Sequence, residues 1–197
     1  MYKIYGPKQS SSFRCLWVAE ELGVPYENIS IDMKAGEHKS SEFLAMNPNG
    51  KVPVLKNGDF VLWESLAIAS YLVDKEGSDL GGANAEERAL VWQWTLWALI
   101  HLAQPLEKVM SYKWMNKPED EGADEARGRL PQWFGILNTA LEGKEYLIAN
   151  RFTLADISVT SVAMYANFIG YDLSAYPHVV AWLQRINQRE AFKKIMA

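Results

Sequence analysis

The chain has 197 residues, 49% of them hydrophobic and 22% charged, the composition of an ordinary folded protein and not of a disordered or fibrous one. A formal charge of -4, from 24 acidic and 20 basic side chains with no basic block, argues against nucleic acid or an anionic membrane as the main partner. One cysteine, Cys15, excludes an internal disulfide framework, a multi-cysteine metal site and a CxxC redox centre, and the three scattered histidines make no metal site.

In chain order, 2–5 reads as a strand, and 13–22 as a helix with Phe13, Leu16, Trp17 and Leu22 able to face a core. The N-terminal MYKIYGPKQS has no apolar signal core, so no export signal is expected and a cytoplasmic location follows. Gly23 and Pro25 close the helix. Residues 28–31 read as a second strand, 41–46 as a short helix, and 52–55 and 60–63 as strands joined by a hairpin signal, Asn57-Gly58. Residues 65–74 form a helix packing back on the sheet. The order βαβ then ββα is that of a thioredoxin-like module, with its first two strands parallel and its hairpin antiparallel. The glycine-rich 76–86 is the natural linker. Beyond it the pattern is helical, at 85–114, 124–141, 154–169 and 177–188, with a short tail from 190. The longest uncharged stretch, 89–106, is interrupted by Gln93, Thr95, His101, Gln104 and Pro105, and reads as a buried helix and not a membrane span. The expected division is 1–78, an α/β module, and 85–197, an all-α bundle.

Three segments of the first part carry possible chemistry. GPKQSSSF, 6–13, joins a strand end to a helix N-terminus, where unpaired N–H groups and the helix dipole hold an anion; the plainer role for its serines is capping. NPNGKVPVL, 47–55, sets a proline at a strand start. That is either a simple entry to the strand or a sharp approach, through a cis bond, which leaves the backbone of Val52 free for an extended ligand. Glu64-Ser65 stands at a helix start. The helix end and hydroxyl suit a carboxylate and the Glu64 carboxylate suits an ammonium, a pairing that fits an amino-acid zwitterion, although a cap explains it too. Cys15, five residues beyond Ser10, reads as a small buried helix residue. Thr153 to Asp156, TLAD, reads as a capping box that serves folding.

Taken together, Ser10, NPNGKVPVL and ESLAI at 64–68 resemble the glutathione transferase family, and AGEHKSSEFLAMNPNGKVPVL from Ala35 resembles its serine-dependent delta and theta classes and their bacterial relatives. FTLADIS, 152–158, is similar to the family's helix-capping motif, so the resemblance spans nearly the whole chain. It implies a thioredoxin-like domain that binds glutathione, an all-helical domain that supplies the hydrophobic substrate site, and a homodimer with active sites in the clefts between domains. It further implies that Ser10 donates its hydroxyl to the glutathione sulfur, that Val52, set by Pro53, pairs with the cysteinyl unit, and that Glu64 and Ser65 hold the γ-glutamyl end. His38, Lys39 and Lys51 fall at the glycyl carboxylate. Two departures stand out. Gly50 replaces the histidine common in delta enzymes, and the spacing after Ser10 is about one residue short, which leaves Ser11 and Gln9 as alternatives at the sulfur. Trp97, His101 and Trp114 are the expected contacts of an electrophile, although most of the helix's aromatic residues read as core.

The implied activity is conjugation of glutathione to small apolar electrophiles. Isomerisation, peroxide reduction and dehalogenation use the same thiolate and stay open, as does a non-catalytic protein-interaction subunit. An end at Ala197 with no appended domain favours the stand-alone enzyme.

Overall fold

Along the first strand, β1 (Tyr2–Tyr5), Tyr2 and Ile4 are buried and Lys3 is exposed, the period of two that a half-buried strand requires. The chain, a computed structural model describing residues 1–197, continues into helix α1 (Ser12–Leu22), closed by Gly23 at φ +64°. β2 (Tyr26–Ile29) runs parallel to β1 with Tyr26 opposite Tyr2. It lies two residues before the expected 28–31, because Asn28 Nδ2 donates to the carbonyls of Ile4 and Gly6, and the Gly6 N–H donates to Ile29, which completes the pairing there.

A single 3-10 turn (Glu37–Lys39) leads into α2 (Ser41–Met46), whose cap Ser40 accepts from the Phe43 N–H at 3.2 Å. β3 (Val54–Asn57) and β4 (Phe60–Trp63) follow. β3 starts at Val54 and not at 52, since Pro53 has no N–H to give the ladder. Because Asn57 pairs with Phe60, the hairpin loop is Gly58-Asp59, one residue later than the Asn57-Gly58 signal, with Gly58 at φ +62°. The sheet order is β2-β1-β3-β4, with β1 and β3 antiparallel. α3 (Ser65–Lys75) packs Ile68, Ala69, Leu72 and Val73 inward.

Contacts divide the chain into two units, Met1–Gly81 with Arg189–Ala197, and Gly82–Gln188. The second unit is helical throughout. α4 (Ala85–Trp97) starts on an Asn84 cap and passes through a π turn (Ala98–Leu102) into α5 (Ala103–Trp114). One uninterrupted helix over 85–114 is what periodicity predicts; the π turn marks where it widens. Pro105 lacks the N–H that the His101 carbonyl would accept, and its ring crowds that carbonyl, so the turn before it loosens. α6 (Glu121–Ala140), α7 (Leu154–Ala163), α8 (Tyr165–Phe168) and α9 (Pro177–Asn187) complete the unit. Every residue of α7 is buried. It starts on the expected capping box: Thr153 is the cap, and Asp156 Oδ2 accepts the Thr153 N–H at 2.9 Å.

The last helix, α10 (Glu190–Met196), belongs to the first unit, although the sequence division keeps it with the bundle. Phe192 meets Trp17 at 4.9 Å and Phe13 at 5.9 Å between ring centroids. Arg189 forks onto the two oxygens of Glu21 at 2.7 and 2.6 Å. The reading of the tail as a continuation of the bundle is corrected by these contacts.

Candidate active site

Gly6 ends β1 at φ +139° and has no side chain to keep its neighbours apart. A Cβ there would meet Ser12 Oγ at 2.0 Å and Val52 Cβ at 2.9 Å, so the turn before α1 and the loop before β3 converge on this glycine. Ser12 is wholly buried, Ser10 half-buried and Ser11 exposed. The Ser10 hydroxyl donates to the Pro7 carbonyl at 2.7 Å and lies 2.9 Å from Ser12 Oγ, while the Ser12 N–H donates to it at 3.2 Å. Ser11 is the cap residue of α1 but its side chain makes no cap bond.

Val52-Pro53 is a cis peptide, the sharper of the two geometries expected for that segment. Val52 lies outside the sheet ladder, which ends at the Tyr5–Val54 pair, and its N–H and C=O take part in none of the turn bonds. Buried Asn47 shapes this loop: Nδ2 donates to the Lys51 carbonyl at 2.7 Å, and Oδ1 accepts the Asn49 N–H at 3.1 Å. Lys39 reaches across to the carbonyls of Asn49 and Gly50 at 3.4 and 3.2 Å. Gly50, at φ +58°, lies under that lysine; a Cβ would come within 2.6 Å of Lys39 Nζ and 3.0 Å of the His38 carbonyl. The position therefore takes glycine for both conformation and space. His38 has its Nδ1 buried without a hydrogen-bond partner, and Lys51 is exposed.

Glu64 precedes α3 at φ +72° and ψ +115°, outside the usual regions for a residue with a Cβ, and its side chain is exposed. Ser65, the first residue of α3, is buried. Its hydroxyl accepts from Arg14 Nη1 at 2.5 Å, and its carbonyl accepts from the Cys15 thiol at 3.4 Å. Cys15 is fully buried as expected, and burial pushes its thiol up to about 12, so it stays protonated at neutral pH and is no nucleophile. Within this unit the structure thus gathers the start of α1, the loop at 47–53 and the start of α3. Gly6, Ser12, Asn47 and Arg14 hold the arrangement and were not singled out from the sequence; an arginine amid the apolar run FRCLWVA was the available signal for the last of them.

In the second unit Trp97 and His101 converge, but on a residue the sequence reading passed over. Trp133 of α6 lies 4.8 Å from the His101 ring and 6.5 Å from Trp97. Trp94 adds an edge contact to Trp97 at 5.1 Å. A groove of about 530 Å³ opens beside them, lined by Gln93, Trp94, Trp97, Ile136 and Thr139 among others. Trp114 does not join this cluster; it is 64% exposed and pairs with Phe168 at 6.5 Å.

A four-stranded mixed sheet with a cis-proline loop, followed by a helical unit, defines the thioredoxin-like class of fold. Residues 2–74 match the family described as "Glutathione S-transferase, N-terminal domain", and 104–190 match "Glutathione S-transferase, C-terminal domain". The chain belongs to the glutathione S-transferase family. It is 34% identical to glutathione S-transferase F10 of Arabidopsis thaliana over 98% of this chain and 95% of that relative. With glutathione S-transferase D7 of Drosophila melanogaster it shares 32% over 90% of the chain and 80% of the relative. The delta and theta likeness is therefore too narrow, since plant F-series enzymes match over more of both chains. Among solved structures, glutathione transferase F2 from Populus trichocarpa superposes with a TM-score of 0.91 at 28% identity, covering 100% of this chain and 97% of that one. A glutathione S-transferase-I bound with lactoylglutathione gives 0.88 at 32% identity, covering 98% and 97%.

Proposed function

We propose that this glutathione transferase binds glutathione on its first unit, activates the thiol with Ser10 and transfers it to small apolar electrophiles. The observation that carries the reading is the convergence at Gly6. It places the Ser10–Ser12 turn against Val52, whose N–H and C=O are unused and suit the cysteinyl backbone of an extended peptide. Beside it, the start of α3 offers Ser65 with the Glu64 carboxylate for a γ-glutamyl zwitterion. His38, Lys39 and Lys51 supply positive charge or donors for the glycyl carboxylate, and Pro53 fixes the approach of Val52.

The chemistry asked of Ser10 is modest. A free thiol of pKa about 8.5 is only about 3% thiolate at pH 7. Lowering that pKa by about two units takes about 2.7 kcal/mol, within reach of one hydroxyl bond to the anion plus a helix N-terminus. To donate to sulfur the Ser10 hydroxyl gives up its bond to Pro7. Ser11 is the second candidate, favoured by its exposed hydroxyl with no internal bond.

Calorimetry of glutathione binding, with conjugation assays, separates these readings. Ser10→Ala is expected to keep binding within about threefold and lose conjugation by about 100-fold, whereas Glu64→Ala loses binding. Activity kept in Ser10→Ala and lost in Ser11→Ala assigns the sulfur to Ser11. Wild type that shows no binding up to about 10 mM glutathione removes the enzyme reading.

Acceptor contacts are assigned to Trp97 and His101, with Trp114 as a separate exposed contact, and the protein is assigned to the cytoplasm; no helix is long and apolar enough to cross a membrane. A homodimer is proposed on a stripe of α4 and its π turn, where Trp92, Leu96 and Ile100 are 45%, 47% and 51% exposed at helical spacing. Sedimentation equilibrium is expected to give twice the chain mass for the wild type and the chain mass for Leu96→Glu; a monomeric wild type ends this part of the proposal.

A further inference from the structure

Arg14 lies in the first turn of α1, on the side turned to the start of α3. It is 7% exposed, and its Nη1 donates to Ser65 Oγ at 2.5 Å across a sequence separation of 51 residues. Cys15, the next residue, donates its thiol to the Ser65 carbonyl. Two consecutive residues of one helix thus grip the first residue of another by hydroxyl and by backbone. Building on the assignment of Glu64-Ser65 to the γ-glutamyl end, we propose that Arg14 is the positioning residue of that subsite, turning the Ser65 hydroxyl proton toward the ligand's α-carboxylate.

The reason is the donor inventory. A guanidinium has only donors and stays charged, so toward Arg14 the serine oxygen must accept. A hydroxyl has a single proton, which is left for the opposite side, where it donates to no group of the protein. Ser65 is also the first residue of α3, so its N–H is among the donors a helix leaves unused. The hydroxyl and the amide of this one residue are thus two free donors, a pair suited to one carboxylate. Accepting from a cation also makes the hydroxyl a stronger donor, and burial keeps the guanidinium charge effective at the ligand. The Cys15 thiol, held protonated by burial, fixes the backbone of Ser65 without adding charge. Without Arg14 the Ser65 hydroxyl has no fixed rotor and the ligand carboxylate no charge behind it.

The test compares S-hexylglutathione with S-hexylcysteinylglycine, which lacks the γ-glutamyl residue, on wild type, Arg14→Met, Arg14→Lys, Ser65→Ala and the double variants. Arg14→Met is expected to weaken S-hexylglutathione by about tenfold or more and S-hexylcysteinylglycine by less than about twofold. In turnover, KM for glutathione rises about tenfold while kcat changes less than about threefold. On a Ser65→Ala background, Arg14→Met costs less than about threefold further, because the arginine acts through that hydroxyl. Arg14→Lys keeps the charge but loses the fork, and is expected to be intermediate, which supplies the comparison if the methionine variant fails to fold. Equal loss of both ligands, full additivity with Ser65→Ala, or unchanged S-hexylglutathione affinity in both Arg14 variants overturns the proposal. If wild type binds the two ligands equally, the γ-glutamyl assignment of Glu64-Ser65 itself is wrong.

Discussion

Glu64 is held at φ +72° and ψ +115°, where a Cβ crowds the backbone, and the residue after it begins a helix. Strain of this kind costs on the order of 1–3 kcal/mol and persists where the surroundings over-determine it. Here they do: Leu62 is paired with Leu55 in the sheet, and Ser65 is fixed by Arg14 and Cys15, so the intervening junction has little freedom. Glycine has no such penalty. Glu64→Gly is therefore expected to be more stable than Glu64→Ala by about 1 kcal/mol in urea denaturation, with glutathione binding lost in both. Equal stabilities would mean the backbone relaxes once the carboxylate is gone. The dipeptide Glu-Ser before an apolar run is visible in the sequence, and so is its charge; the conformation is not, because nothing in the local sequence demands a left-handed glutamate.

At the scale of elements, α10 shows how a short segment is recruited. Seven residues are too few to be a stable helix alone. The helix is held by Phe192, 4% exposed against Phe13 and Trp17, and by charge at both ends, Arg189 on Glu21 and Lys194 on Glu20 at 2.6 Å. Burial is the largest single influence on Glu20 and pushes its pKa up, but the Lys194 ammonium and the Tyr26 hydroxyl together outweigh it and hold the carboxyl below the usual range. Phe192→Ala is expected to cost about 3–5 kcal/mol of stability by chemical denaturation, a loss of the size seen for buried aromatic residues. A change below about 1 kcal/mol would place α10 outside the cooperative unit. The long helix of the second unit was legible as apolar periodicity from 85 to 114, with Pro105 noted only as one of the residues that interrupt its uncharged stretch. That the chain answers with a π turn, which sets the rotation of His101 onto Trp133, depends on which neighbour the widened turn meets.

At the scale of the molecule, the core of the second unit is tied by Asp156. Its carboxylate accepts from the N–H groups of Thr153 and Leu147 and from Trp182 Nε1, joining the start of α7, the segment before it and α9. Burial raises its pKa in spite of these donors. With the folded pKa above the unfolded value, the protonated form is the one that folding favours. The group's titration therefore adds stability below the unfolded pKa of about 3.9, and this is lost as pH rises through the folded pKa. Asp156→Asn cannot accept all these bonds and is expected to be less stable by about 1–3 kcal/mol, with the difference narrowing as pH rises from about 4 to 7. A difference that widens over that range would show the carboxylate to be stabilised, not penalised, by its site.

The sequence by itself determined the order of strands and helices, the thioredoxin-like first part, the helical second part and the three segments proposed for the chemistry. These are local matters of periodicity, turn residues and caps, written in consecutive side chains. The tertiary structure alone decided which of those side chains meet. Arg14 and Ser65 are 51 residues apart, Trp97 and His101 find Trp133 on another helix, and Phe192 returns to α1 from the far end of the chain. An amphipathic pattern states which face is buried, but not what buries it. The single thiol excluded a redox pair from the outset, and its burial against Ser65 then gave Cys15 a structural role.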